Sequence, residues 1–136
     1  MDKIVWEIPL KTVSEANSSE HWTVSSKRHR QQQFFVRALF HGLKDPVPVP
    51  CTVKLTRLNS RALDDDNLIS SMKWIRDEVS ECVFPEKRTS YVKNGRIITI
   101  KGRADCDPRI KWEYAQEKSP RMGIRIEIEP IQEAEA

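Results

Sequence analysis

Asp64, Asp65, Asp66 and Asn67 stand in a row just ahead of an apolar stripe, and a second acidic pair, Asp105 and Asp107, flanks Cys106. In an extended chain, side chains two residues apart point the same way, so Asp64 and Asp66 can converge on one point while Asp65 turns away. Such oxygen ligands suit Mg²⁺ or Mn²⁺, hard cations that keep several waters and need few carboxylates. The free amides of a helix start favour the ionised form of both aspartates. One acidic pair opens a helix and the other opens a strand, so the two can meet at one edge of a sheet. Carboxylates around a divalent ion are a standard means of hydrolysing a phosphodiester. Each pair also has a plainer reading. Asp and Asn are favoured helix caps, and Asp107 followed by Pro108 suits an Asx-type turn. Capping needs only one residue of the run, however, and three adjacent negative charges repel. A metal, or a cation such as Arg61, would offset that repulsion.

The elements that must position these residues follow from periodicity. Ile4, Trp6 and Ile8 alternate up to Pro9 and predict a first strand. Residues 12–26 are polar and read as a long loop. A helix is expected from a cap at Ser25 or Ser26 to Gly42, with Phe34, Phe35, Ala38 and Leu39 as its apolar face. The proline-rich stretch 45–50 is a connector, and Cys51, Val53 and Leu55 alternate as a second strand. Leu68, Met72, Ile75, Val79 and Cys82 or Val83 make the cleanest helical stripe in the chain, ended by Phe84-Pro85. Asn94-Gly95 between β-prone residues predicts a hairpin. Ile110, Trp112 and Tyr114, then Met122, Ile124, Ile126 and Ile128, predict two further strands. The expected fold is α+β, a two-layer arrangement with one mixed β-sheet, two helices packed on one face, and an inserted β-hairpin. A single domain over 1–130 is expected, with a frayed tail at 131–136.

The chain has 136 residues, 38% hydrophobic and 32% charged, which suffices for one two-layer core. No apolar run approaches the roughly 20 residues that cross a bilayer, and no leader pattern opens the chain, so a cytoplasmic protein is expected. Cys51, Cys82 and Cys106 are odd in number and without paired spacing, which fits a reducing compartment. The four scattered glycines form no phosphate loop, so a nucleotide cofactor has no support. His21, His29 and His41 lack zinc-ligand spacing and suit surface or helix-end roles. Trp6, Trp74, Trp112 and Tyr114 sit at core-phased positions, whereas Trp22 lies in the polar stretch, where it is free to touch a base or a partner. The net charge is a mild +3, so its placement matters more than its size. Lys27, Arg28 and Arg30, with Arg37 beyond, and a second zone including Lys101 and Arg103, are candidates for contact with nucleic-acid phosphates; a solvated helix face is the plainer alternative.

Taken together, Arg61-Ala62-Leu63-Asp64-Asp65-Asp66-Asn67-Leu68 resembles the D-x-D-N-L motif that opens the central helix of the RusA-type Holliday junction resolvases. Asp107-Pro108-Arg109-Ile110 resembles that family's later acidic motif. The resemblance extends over most of the chain and is specific over the two motifs. It implies a homodimeric, Mg²⁺-dependent endonuclease (Mn²⁺ substituting) that cuts branched DNA, chiefly four-way junctions. Asp64 and Asp66 then match the first two catalytic, metal-binding aspartates and Asp107 the third, with Asn67 and Asp105 in support. Two features depart from the family pattern. Ser70 stands where the family has a functional lysine, with Lys73 one turn on as the substitute, and the stretch 81–104 is longer than usual. The alternative reading is a DNA-binding or interaction module on the same fold that has lost catalysis. A third is a structural dimer whose acidic run only caps a helix.

Overall fold

A computed structural model describes residues 3–15, 19–85, 88–101 and 104–131. Strands β1 (Ile4–Ile8), β2 (Cys51–Asn59), β5 (Ile110–Lys118) and β6 (Gly123–Pro130) form one sheet in the order β1-β6-β2-β5. β6 runs antiparallel to both β1 and β2, and β5 runs parallel to β2. A parallel pair needs a crossover. Here it contains α2 (Asp65–Ser71), α3 (Lys73–Val83) and the hairpin β3 (Arg88–Lys93) and β4 (Arg96–Lys101). The α+β architecture with a mixed sheet and an inserted hairpin is as expected.

Alternation decides the two faces of the sheet. Cys51, Val53, Leu55, Ile124, Ile126 and Ile128 are buried with Val36, Leu68, Met72, Ile75 and Val79 from the helices. The opposite face carries charge, including Lys3, Lys54, Glu113, Glu127 and Glu129 around one shallow depression. Gly123 sits where β6 passes close to β1: a Cβ there would lie 2.7 Å from the Ile8 carbonyl oxygen, so no larger residue fits. In the hairpin, Asn94 (φ 53°) and Gly95 (φ 76°) take the left-handed pair that a two-residue turn requires.

The helices depart from expectation in three ways. α1 spans Trp22–His41 and starts before Ser25, because His21 adopts an extended backbone and its Nδ1 accepts the Thr23 N–H. Ser25 instead lies inside the helix, its hydroxyl donating to the Trp22 carbonyl. Second, the expected apolar face of α1 is turned outward, with Phe34 66% and Phe35 43% exposed. The buried side chains are Arg28, Gln32 and Val36. Arg28 meets two glutamates and Gln32 Nε2 donates to the Lys11 carbonyl, while Gln32 Oε1 has no hydrogen-bond partner among the described residues. Leu39 and Phe40 pack at the margin, Phe40 edge-on to Trp6.

Third, the stripe Leu68–Val83 is two helices rather than one. Met72 (φ −101°, ψ 1°) ends α2 and begins α3. Ser71 Oγ donates to the Leu68 carbonyl, and the Met72 N–H turns to Ile69 at three residues' distance. A serine hydroxyl that competes for a helix carbonyl loosens the ladder at that turn. Leu68, Met72, Ile75 and Val79 are nevertheless all buried, as the stripe predicts. No helix among the described residues is long and apolar enough to cross a membrane.

Candidate functional site

The acidic run is built onto the end of β5 by a side-chain clip. Gln116 Oε1 accepts the Leu63 N–H at 2.9 Å, and Gln116 Nε2 donates to the Leu63 carbonyl at 2.6 Å. The amide thus pairs with Leu63 much as a neighbouring strand would. Asp64 follows in extended conformation (φ −70°, ψ 168°), its Oδ1 accepting the Asn67 N–H at 3.0 Å and its carbonyl the Leu68 N–H. It is the N-cap, as its plainer reading has it. Asn67 Oδ1 in turn accepts from Ser14 Oγ in the polar loop. Asp65 and Asp66 occupy the first turn, exposed, and neither forms an ion pair among the described residues. Nor does Arg61, expected as their counter-charge; it too is exposed.

The second acidic pair is in a different condition. Asp105 lies in a 3₁₀ turn, Ala104–Cys106. Its carbonyl accepts from Arg76 Nη2 and Trp112 Nε1, and its carboxylate is 4.0 Å from Arg76 Nε. Asp107 is 9% exposed. Its Oδ1 accepts from the Arg109 backbone N–H and Nε, both at 3.0 Å, and its Oδ2 from Arg109 Nη2 at 2.8 Å. The backbone contact is an Asx-type turn, and the two guanidinium contacts make a forked ion pair. The Arg109 guanidinium also covers the Phe84 ring, 4.2 Å from its centroid.

Asp64, Asp66 and Asp107 therefore do not converge as expected. Leu63 is fixed at Gln116, whereas Asp107 precedes Ile110, six positions back along the same strand. That separation is about 20 Å at strand rise. The reason is the path of the crossover. α2 starts over the Gln116 end of β5, and by Arg76 the chain lies beside Tyr114 and the Asp105 carbonyl, to both of which Arg76 donates. Among the described residues, no three or more His, Cys, Asp or Glu side chains lie close enough to hold a metal ion together.

The remaining candidates divide similarly. Lys73, the expected substitute for the lysine absent at Ser70, is exposed and opens α3 beyond the Met72 break, so it is not on the same continuous helix as Ser70. Its Nζ lies 5.1 Å from the Trp74 ring centroid. Lys27 and Arg30 are exposed on α1. Arg28 is not available to a nucleic acid. It is 6% exposed, forked onto Glu15 at 2.9–3.2 Å and bonded to Glu20 at 2.6 Å. These contacts fix the polar loop to α1, next to the point where Ser14 reaches Asn67. His29 belongs to the same knot, stacked on Trp74 with Nε2 3.2 Å from Glu15. The side chain of Lys101, and Arg103 as a whole, lie outside the described residues. Trp22, expected in a loop, is in the first turn of α1 and 70% exposed.

Gln116, Ser14 and Arg76 were not singled out by sequence, because their roles depend on partners 29–53 positions away. Arg57 is a further buried polar residue, and the sequence does carry a signal for it. It continues the core phase of Cys51, Val53 and Leu55 along β2, where an arginine is out of place.

Comparison of the chain with protein-family models, with curated proteins and with solved structures gave no match.

Proposed function

We propose that this chain is a Mg²⁺-dependent endonuclease that cuts branched DNA, four-way junctions above all, acting as a cytoplasmic homodimer. The observation that carries the reading is the state of the D-x-D-N run. Asp64 is fixed by the Asn67 amide, and Asp66 stands exposed without an ion pair among the described residues, both on a segment clipped to the sheet. The donor chemistry fits magnesium, which needs only one or two carboxylates and takes its remaining oxygens from water and substrate phosphate. A bound ion would polarise the phosphoryl oxygens and offset charge on the leaving oxygen. The chain's own residues do the positioning. Gln116 sets where the run begins, and Ser14 holds Asn67. Lys27 and Arg30, exposed on α1, supply the positive charge that acidic residues lack for DNA.

A second reading, a DNA-binding module on the same fold without catalysis, is favoured by one observation: the carboxylate of Asp107 is taken up by Arg109. The deciding experiment incubates the chain with labelled four-way, flap and linear duplex DNA, with Mg²⁺ and with chelator. The nuclease reading expects junction cleavage with Mg²⁺ only, lost in Asp66→Asn with junction binding kept. Binding without cleavage, and no Mn²⁺ affinity sensitive to Asp66→Asn, would establish the second reading instead.

A further inference from the structure

β2 directs Cys51, Val53 and Leu55 into the core, and the same alternation carries Arg57 inward. Arg57 is 6% exposed. Its Nε donates to Thr12 Oγ1 at 3.2 Å and its Nη1 to the Arg61 carbonyl at 2.6 Å. Among the described residues no carboxylate pairs with it, and burial pushes its guanidinium below the usual range. The other buried arginine, Arg28, is matched by two glutamates. A buried charge is tolerated when a counter-charge meets it, and no described residue supplies one to Arg57.

Arg57 lines a cavity of about 320 Å³ between the ends of β2 and β5. Arg61 and Lys118, both exposed, line it too, as does Asn59. Glu117 is the carboxylate on this wall, but it is exposed and its Oε2 accepts from Arg125 Nη1 at 2.7 Å. The amide of Gln116 is occupied by Leu63. The wall therefore offers three cations against one carboxylate already engaged elsewhere.

We propose that this cavity is an anion subsite for a phosphodiester group of the DNA backbone, with Arg57 as its buried anchor and Arg61 and Lys118 as its rim. A guanidinium presents a planar fork of donors that matches phosphate oxygens. Ala62, two residues before Asp64, is also on the wall, so a phosphate held here is seated beside the acidic run. Anion binding stands on the chemistry of the cavity itself, whereas its assignment to DNA rests on the nuclease reading.

The test uses the full chain in chelator at low salt, where no metal-dependent cleavage occurs. The Arg57 Nε–Hε resonance is followed during titration with inorganic phosphate, and affinity for a four-way junction is measured against salt. The subsite predicts a saturable shift at Arg57, abolished phosphate binding in Arg57→Met, and phosphate affinity at least fivefold weaker in Lys118→Glu. The exposed Lys118 keeps the test sharp should Arg57→Met fail to fold. For junction DNA, the slope of log affinity against log salt should fall by about one in either variant. No shift at Arg57 with phosphate overturns the subsite whatever the DNA result. A phosphate shift with an unchanged DNA slope overturns the DNA assignment and leaves a site for free phosphate or a phosphorylated small molecule. Absence of cleavage by the unaltered chain in Mg²⁺ would count against the nuclease reading and leave these measurements intact.

Discussion

The two acidic clusters are alike in sequence and opposite in condition. At the start of α2, one carboxylate caps the helix and two stand in solvent without ion pairs among the described residues. Before β5, Asp107 is buried and forked onto Arg109, and Asp105 lies beside Arg76. A carboxylate already neutralised and hydrogen-bonded contributes to a local turn, whereas one held on a rigid segment in solvent is free to take a ligand. Residue type alone does not separate these roles; the partner does.

The comparison is tested most strongly at Asp66. Asp66→Asn should reduce junction cleavage by more than about 100-fold. Its melting temperature should stay within a degree or two, since the side chain is exposed. Next in size is Arg28→Ala, which strands two partly buried glutamates. A loss of about 3 kcal/mol in chemical denaturation is expected. If Arg28→Ala instead left stability unchanged and weakened only DNA binding, Arg28 would return to the phosphate-contacting residues.

Asp107→Asn tests the other pair directly. Arg109 is 46% exposed, so screening reduces the cost to about 1 kcal/mol, roughly 3 °C in Tm. Cleavage should fall no further than stability does. Loss of cleavage at unchanged Tm would erase the distinction and place Asp107 in the site with Asp66.

The smallest effect lies on the open sheet face. The hydrogen bond from Lys3 holds Glu127 below its usual value of 4.5. A carboxylate with a depressed folded pKa stabilises the protein above its unfolded value, and that contribution is lost as pH falls through the folded value. Glu127→Gln should therefore flatten the fall in stability just below pH 4.5 and leave neutral stability within about 0.5 kcal/mol. A pH titration of urea midpoints reads this out.

Much of the fold was legible because its signals are local. Ile4–Ile8, Cys51–Leu55 and Ile124–Ile128 show strand alternation, Asn94-Gly95 shows its turn, and Leu68–Val79 shows its buried stripe. The break at Met72 was not legible, because it turns on whether Ser71 takes the Leu68 carbonyl. Nor was the phase of α1, where an aromatic pair suggested a buried face. Arg28 on Glu15 and Gln32 Nε2 on the Lys11 carbonyl instead anchor the opposite face against the chain.

For the site, sequence alone determined that Asp64 opens a helix, since capping involves residues three apart. It also determined that Asp107 sits in a turn ahead of a strand. Only the tertiary structure decided that Leu63 is held at Gln116 while Asp107 leads into Ile110, points about 20 Å apart along β5 at strand rise. Likewise, only the fold left Arg57 buried without a carboxylate partner among the described residues, while Arg28 received two glutamates. The physical reason is the same in both cases. Local hydrogen bonds are set by neighbours in the chain, whereas the counter-charge a buried group meets is set by where a crossover lays distant segments down.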